Sequence, residues 1–175
     1  KVCSNASWKK KTRRLHGWNN KNTNRVTASI IRRFFMAISS AICNSFKQEI
    51  LVGTHNFTAS SGNSFKLALY TSSASLGAGT TAYSTSNEIS NTSGSAYTAG
   101  GKALTSVTPV LDGSTACCDF ADISFTSASF TANGCLIYND TQSDKACAVV
   151  AFGGDKTVSS GTFTIQFPAA DASNA

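Results

Sequence analysis

Few side chains in this 175-residue sequence could carry out chemistry, and its two histidines are the first to test. His16 sits in a strongly basic N-terminal segment, and His55 is followed by Asn56 just beyond a predicted helix. An imidazole acts as a general base only with a nucleophile or substrate proton in reach and, as a rule, an acid that orients it. No motif supplies either around His55. The sequence also has no G-x-S-x-G elbow, no G-x-x-x-x-G-K-[ST] loop and no His pair spaced for zinc. His55 is therefore expected to be a plain loop histidine whose replacement changes nothing. No catalytic residue is assigned, and the chain is not expected to be an enzyme.

The carboxylates and cysteines offer metal chemistry at most. Asp119 with Asp122, and Asp140 with Asp144, could contribute to Ca²⁺ binding, but neither pair has the dense oxygen spacing of a calcium loop. They read as solvated turn and edge residues. Of six cysteines, Cys3 lies in the basic segment, leaving Cys43, Cys117, Cys118, Cys135 and Cys147. The remainder is odd and irregularly spaced, and adjacent Cys117 and Cys118 would point to opposite faces of a strand. Free thiols, buried as small apolar residues in a reducing cell, are expected, with no metal and no cofactor. Tyr70, Tyr83, Tyr97 and Tyr138 are the only tyrosines and the candidates for an aromatic platform that a host glycan could stack on. Their spread over four segments argues against a single platform. Asn-x-Ser/Thr sequons at Asn56, Asn91 and Asn139 matter only in a eukaryotic secretory pathway.

Charge divides the chain. Residues 1–35 carry ten Lys or Arg and no Asp or Glu, a net +10, whereas residues 36–175 carry five against nine, a net −4. One reading of the first segment is a basic arm that neutralises phosphates, the only basis for a nucleic-acid partner. The other is a translated leader. The chain opens on Lys1, and two Arg codons in Arg32-Arg33-Phe34-Phe35-Met36 can spell a purine-rich ribosome-binding sequence close before a Met codon. The leader reading sets residues 1–35 aside from the fold and starts the protein at or just after Met36. No stretch approaches the roughly 20 apolar residues of a membrane span, and nothing after Met36 looks like a signal sequence, so no membrane partner is expected.

The elements that must position these residues follow from periodicity. Ile38, Ile42, Phe46 and Ile50 recur every fourth residue with Ala41 beside them, predicting one amphipathic helix over 36–53, capped by Ser39 or Ser40, closed by Gly53, with Lys47 and Gln48 on its wet side. Beyond it, short apolar runs broken by Gly, Asn and Asp predict a β-sandwich over 54–175. Phe65–Tyr70 and Phe163–Phe167 alternate like half-buried flanking strands. Phe130–Tyr138 and Ala146–Phe152 are apolar on both faces, predicting central strands joined by a turn at Asn139–Asp144. In Ala116–Phe125 the apolar phase slips, predicting a bulge near Ala121 that keeps Cys118, Phe120, Ile123 and Phe125 inward. Gly77–Thr81, Ser93–Gly101 and Gly153–Asp155 read as loops, and Pro109 and Pro168 as strand ends. The fold class expected is all-β, an antiparallel sandwich of jelly-roll or immunoglobulin-like type with about eight strands and one short N-terminal helix.

Several runs taken in order, Phe65-Lys66-Leu67-Ala68-Leu69-Tyr70-Thr71, Thr80-Thr81-Ala82-Tyr83, Tyr97-Thr98-Ala99-Gly100-Gly101, Leu136-Ile137-Tyr138-Asn139, Asp155-Lys156-Thr157 and Phe163-Thr164-Ile165-Gln166-Phe167-Pro168, resemble a family of small, mostly uncharacterised virion proteins of tailed bacteriophages. The resemblance covers about Phe65 to Pro168. It implies a decoration, neck or tail subunit made in the bacterial cytoplasm and resident in the virion, with other virion proteins and copies of itself as partners. It brings no catalytic residues with it. Members of that family continue past the last strand, so a closing strand is expected to be missing after Asp171. The alternative reading is a host-glycan or receptor-binding tip domain of a fibre.

Overall fold

A computed structural model describes residues 37–90 and 97–173. The leader segment, Met36, the Asn91 sequon and part of the Ser93–Gly101 loop lie outside the described residues. The architecture is all-β and antiparallel with one short α-helix, as the sequence predicts. Strands β1 (Ala41–Ile42), β2 (Phe65–Tyr70), β3 (Lys102–Leu104), β4 (Ser106–Asp112), β5 (Thr115–Phe120), β6 (Ile123–Asn139) and β7 (Lys145–Ile165) accompany helix α1 (Asn44–Leu51). A five-stranded sheet has the order β1-β7-β6-β2-β3, and β4 and β5 form a separate hairpin. Phe120 of β5 brings the hairpin to the sheet, its ring 5.5 Å from that of Phe65 on β2 and 6.1 Å from Phe57.

The two-sided apolar runs do lie inside the sheet, with β6 at its centre and β7 next to it. Leu136, Ile137 and Val149 are buried, although Val150 is 40 % exposed, so β7 is covered on one face there. A 3₁₀ turn at Asp140–Gln142 links β6 to β7 where the turn was expected, with the Asn139 side chain accepting from Gln142 N–H.

Four expectations are corrected. First, the helix is half as long as its periodicity implied. Ile38 and Phe46 are buried, but Ile42 and Ile50 are 50 % and 47 % exposed, so the four-residue repeat is not one helix face. Residues 41–42 instead cover the edge of β7, with Cys43 N–H donating to Cys147 C=O at 3.0 Å, and Ile38 lies against Gly134, where a Cβ would come within 2.7 Å of its Cγ2. Neither Ser39 nor Ser40 caps the helix; the N-cap is Cys43, which makes no side-chain cap bond. Gly53, at φ +74°, does close it, in the left-handed conformation that glycine adopts without strain.

Second, β2 is not a flanking strand but lies between β6 and β3, with every residue except Lys66 buried. Third, the slip in Ala116–Phe125 is a break rather than a bulge. β5 ends at Phe120, β6 begins at Ile123, and of the two adjacent cysteines Cys117 is buried and Cys118 exposed. Fourth, Gly153–Asp155 is not a loop between strands. From the pair Gly134↔Ala151 to the pair Ala132↔Lys156, β6 advances two residues and β7 five, so three extra residues bulge out of one continuous strand. Gly153 and Gly154 take φ +71° and +141° there, and further irregularities fall near Ser127 and Ser160, both at positive φ. Bulges of this kind bend a strand without ending it, which is why two strands of 17 and 21 residues take the place of several short ones. Pro109 likewise lies within β4, at the register shift between Val107 and Val110, where its missing N–H breaks no ladder bond.

Candidate functional site

The four tyrosines converge. β3 pairs only with Phe65–Leu67, so the edge of β2 beyond Leu67 needs other partners. Residues 87–89 and Tyr97 supply them. Tyr70 bridges to Glu88, Ile89 N–H donates to Leu69 C=O at 2.9 Å, and the Tyr97 hydroxyl accepts from Leu69 N–H at 2.9 Å. The same hydroxyl donates to Glu88 Oε1 at 2.5 Å, while Tyr83 donates to Oε2 at 2.6 Å and Gly100 N–H donates to Oε1 at 2.8 Å. Tyr138, stacked on Tyr83 with centroids 4.7 Å apart, donates to Gly100 C=O, and Tyr70 donates to Ser84 C=O. One carboxylate thus ties two phenols and a backbone amide over the sheet edge. Burial raises the pKa of all four phenols, and the Glu88 carboxylate raises Tyr83 and Tyr97 further. With Tyr70, Tyr97 and Tyr138 almost fully buried, the cluster is a fastening rather than a stacking platform.

A second network surrounds His55, whose side chain is fully buried. Its Nε2 lies 2.9 Å from Glu49 Oε2, and its Nδ1 lies 2.9 Å from Asn139 Nδ2. Asn139, itself fully buried, donates a second hydrogen to Asn63 Oδ1 at 3.0 Å, and its oxygen accepts from Gln142 N–H. Because both Asn139 hydrogens are donated, His55 Nδ1 accepts and Nε2 carries the hydrogen that goes to Glu49. Lys145 donates to the other Glu49 oxygen. A carboxylate beside an imidazole is the geometry of an oriented base, but the nitrogen that would act as the base is taken up by Asn139. Contrary to the sequence reading, His55 is a buried tie between α1 and the β6–β7 turn. His55→Ala is expected to lower unfolding free energy by roughly 2–4 kcal/mol, since it strips an acceptor from buried Asn139 and the contact with Phe46 as well. Urea denaturation of the two proteins measures it.

Burial pushes the Glu49 pKa up, but hydrogen bonds from Lys145 and His55 and the charge of Lys145 outweigh it, and the net shift is downward from the ordinary 4.5. A depressed folded-state pKa contributes stability that is fully present above the unfolded value and is lost as pH falls through the folded one. The native protein should therefore lose stability below about pH 4.5 partly through Glu49. Glu49→Gln should be less stable at neutral pH and show a shallower acid limb when melting temperature is followed against pH.

The remaining candidates are scattered. Asp119 accepts from Phe120 N–H, Asp122 from Phe167 N–H, and Asp140 pairs with Lys66 at 2.8 Å. Among the described residues, no group of three or more His, Cys, Asp or Glu is placed to hold a metal ion, and no helix is long and apolar enough to cross a membrane. Cys43, Cys117, Cys118, Cys135 and Cys147 are free. Burial pushes Cys135 and Cys147 up to about 12, which keeps both as thiols at neutral pH. Comparison with family models, with curated proteins and with solved structures returns no match.

Proposed function

We propose that the protein is a structural component of a tailed-phage particle, a decoration, neck or tail subunit that works by packing against copies of itself or neighbouring virion proteins. The observation that carries this reading is the outward face of the β4–β5 hairpin. Six of the seven residues of β4 are exposed, and they include Val107, Val110 and Leu111, the last at 72 %. Exposed apolar side chains along a strand that pairs with a single neighbour are what a contact surface presents. The groups capable of chemistry, His55, Glu88 and the tyrosine hydroxyls, are meanwhile spent on internal bonds. Burial of the tyrosines favours this role over the glycan-binding tip, and the motif order from Phe65 to Pro168 favours the virion setting.

Sedimentation velocity and electron microscopy of the purified full chain test the proposal. Concentration-dependent oligomers are expected, and Leu111→Asp should weaken association about tenfold or more while leaving the melting temperature nearly unchanged. A chain that stays monomeric at every concentration and binds saturably on a glycan array would replace this reading with the fibre-tip one.

A further inference from the structure

Between the sheet and the hairpin lies a cavity of about 360 Å³ that no element of the proposed packing role uses. Its size falls within the roughly 300–1,000 Å³ of small-molecule sites, and like them it is mostly apolar. An apolar cavity of about 150 Å³ takes up one benzene, so the space here suits roughly two rings. Phe46, Phe57, Phe120 and Phe167 line it. Their rings form a connected series, with centroids 5.9, 6.1 and 5.8 Å apart and planes inclined by 89°, 55° and 60° in turn. Phe57 is backed by Phe65, stacked on it at 4.4 Å, and Phe46 by His55 at 4.8 Å, so these two rings are held in place before anything binds. One wall is the stretch after β7, where Phe167 N–H donates to Asp122 at 2.9 Å and Ala172 N–H donates to Asp112 at 2.8 Å. That stretch belongs to no strand, and irregular segments open at lower free energy than paired ones, which gives a ligand its way in.

We propose that this cavity binds a flat aromatic molecule of about two fused rings. Aromatic rings attract one another edge to face and offset face to face, beyond the effect of the area they bury. Phenylalanines inclined to one another at these angles can meet a flat guest in both ways at once. A saturated guest of the same skeleton fills the space but makes neither contact. Water against such walls finds few polar partners, and an empty space forfeits the dispersion contacts of its lining, so an aromatic guest gains on both counts.

The test is titration of the full chain with 2-naphthalenemethanol, its decahydro analogue and 1-pyrenemethanol, by calorimetry for the first two and by fluorescence for the third. Saturable one-to-one binding of the naphthyl probe is expected, about tenfold tighter than the saturated analogue. The pyrenyl probe should not bind, although it is more apolar than the naphthyl one, because four rings exceed the space. Chemical-shift changes in the native chain should centre on lining residues such as Ile137, Ala148 and Phe167. Phe167→Leu, at a half-buried position, should cut the aromatic preference at least about twofold while keeping the cavity apolar. Ala148→Phe should abolish binding by filling the space; if that variant fails to fold, the chemical shifts of the native chain locate the site independently. Absence of saturable naphthyl binding overturns the proposal. So do a saturated analogue that binds as tightly, a pyrenyl probe that binds as well, shift changes centred elsewhere, and an aromatic preference unaltered in Phe167→Leu. Naphthyl affinity that falls as protein concentration rises, because a second copy fills the cavity, overturns it too.

Discussion

Glu88→Ala is expected to destabilise the protein by on the order of 3–5 kcal/mol, a large share of the roughly 5–15 kcal/mol that holds a domain together. The reason lies in what the carboxylate leaves behind. Tyr83 and Tyr97 lose the acceptor of their hydroxyl hydrogens, and Gly100 loses the acceptor of its amide, at a site where Tyr97 is 1 % exposed. A buried donor left unpaired costs about 1–3 kcal/mol. Glu88→Gln is the control. Its oxygen still accepts from one phenol, and its amide can donate to the other, so the loss should be under about half as large. Thermal and urea denaturation of the pair measure the difference. Equal, small effects from both variants would show that the edge of β2 is held by the backbone contacts of Ile89 and Thr71 alone.

Leu136→Ala should cost roughly 2–5 kcal/mol, because Leu136 is wholly buried on the central strand and pairs with both Ala68 and Val149. Phe163→Ala should cost less, although phenylalanine is larger. Its ring is only partly buried, packed against Phe130 and Phe152 where β6 and β7 run on beyond β2. Chemical denaturation ranks the two. A larger loss at Phe163 would mean that this extension, rather than the five-stranded region, is the mechanical centre of the fold.

What was legible in the sequence was the part governed by short-range pattern. Leu136 and Ile137 are apolar on opposite faces, and the polar run from Asn139 to Asp144 follows at once, so the central hairpin could be read from neighbouring residues. The helix was misread because a repeat of four does not distinguish one helix face from two unrelated environments. Ile38 belongs to an extended segment against Gly134, and Phe46 to the helix. Gly-Gly-Asp at 153–155 read as a loop because residues that permit a turn also permit a bulge. The sites were the least legible. His55 meets Asn139 from 84 positions away, and Glu49 meets Lys145 from 96, separations over which sequence patterning carries no signal. The tyrosines looked dispersed for the same reason: only the pairing of β2 with β6, and the contacts of residues 87–89 and Tyr97 with β2, gather them.

Asn139 has a bearing on how the strands choose their alignment. It ends β6, lies opposite both Phe65 of β2 and Lys145 of β7, and spends both amide hydrogens and its oxygen on fixed partners. Apolar strands rich in Ala, Val and Ile could slide past one another with little change in greasy contact. A slip of one residue would turn the Asn139 amide to the other face of the sheet and leave His55 and Asn63 facing nothing. The buried amide therefore acts as an index pin, making the correct offset of three strands at once the one that keeps Asn139, His55 and Asn63 paired.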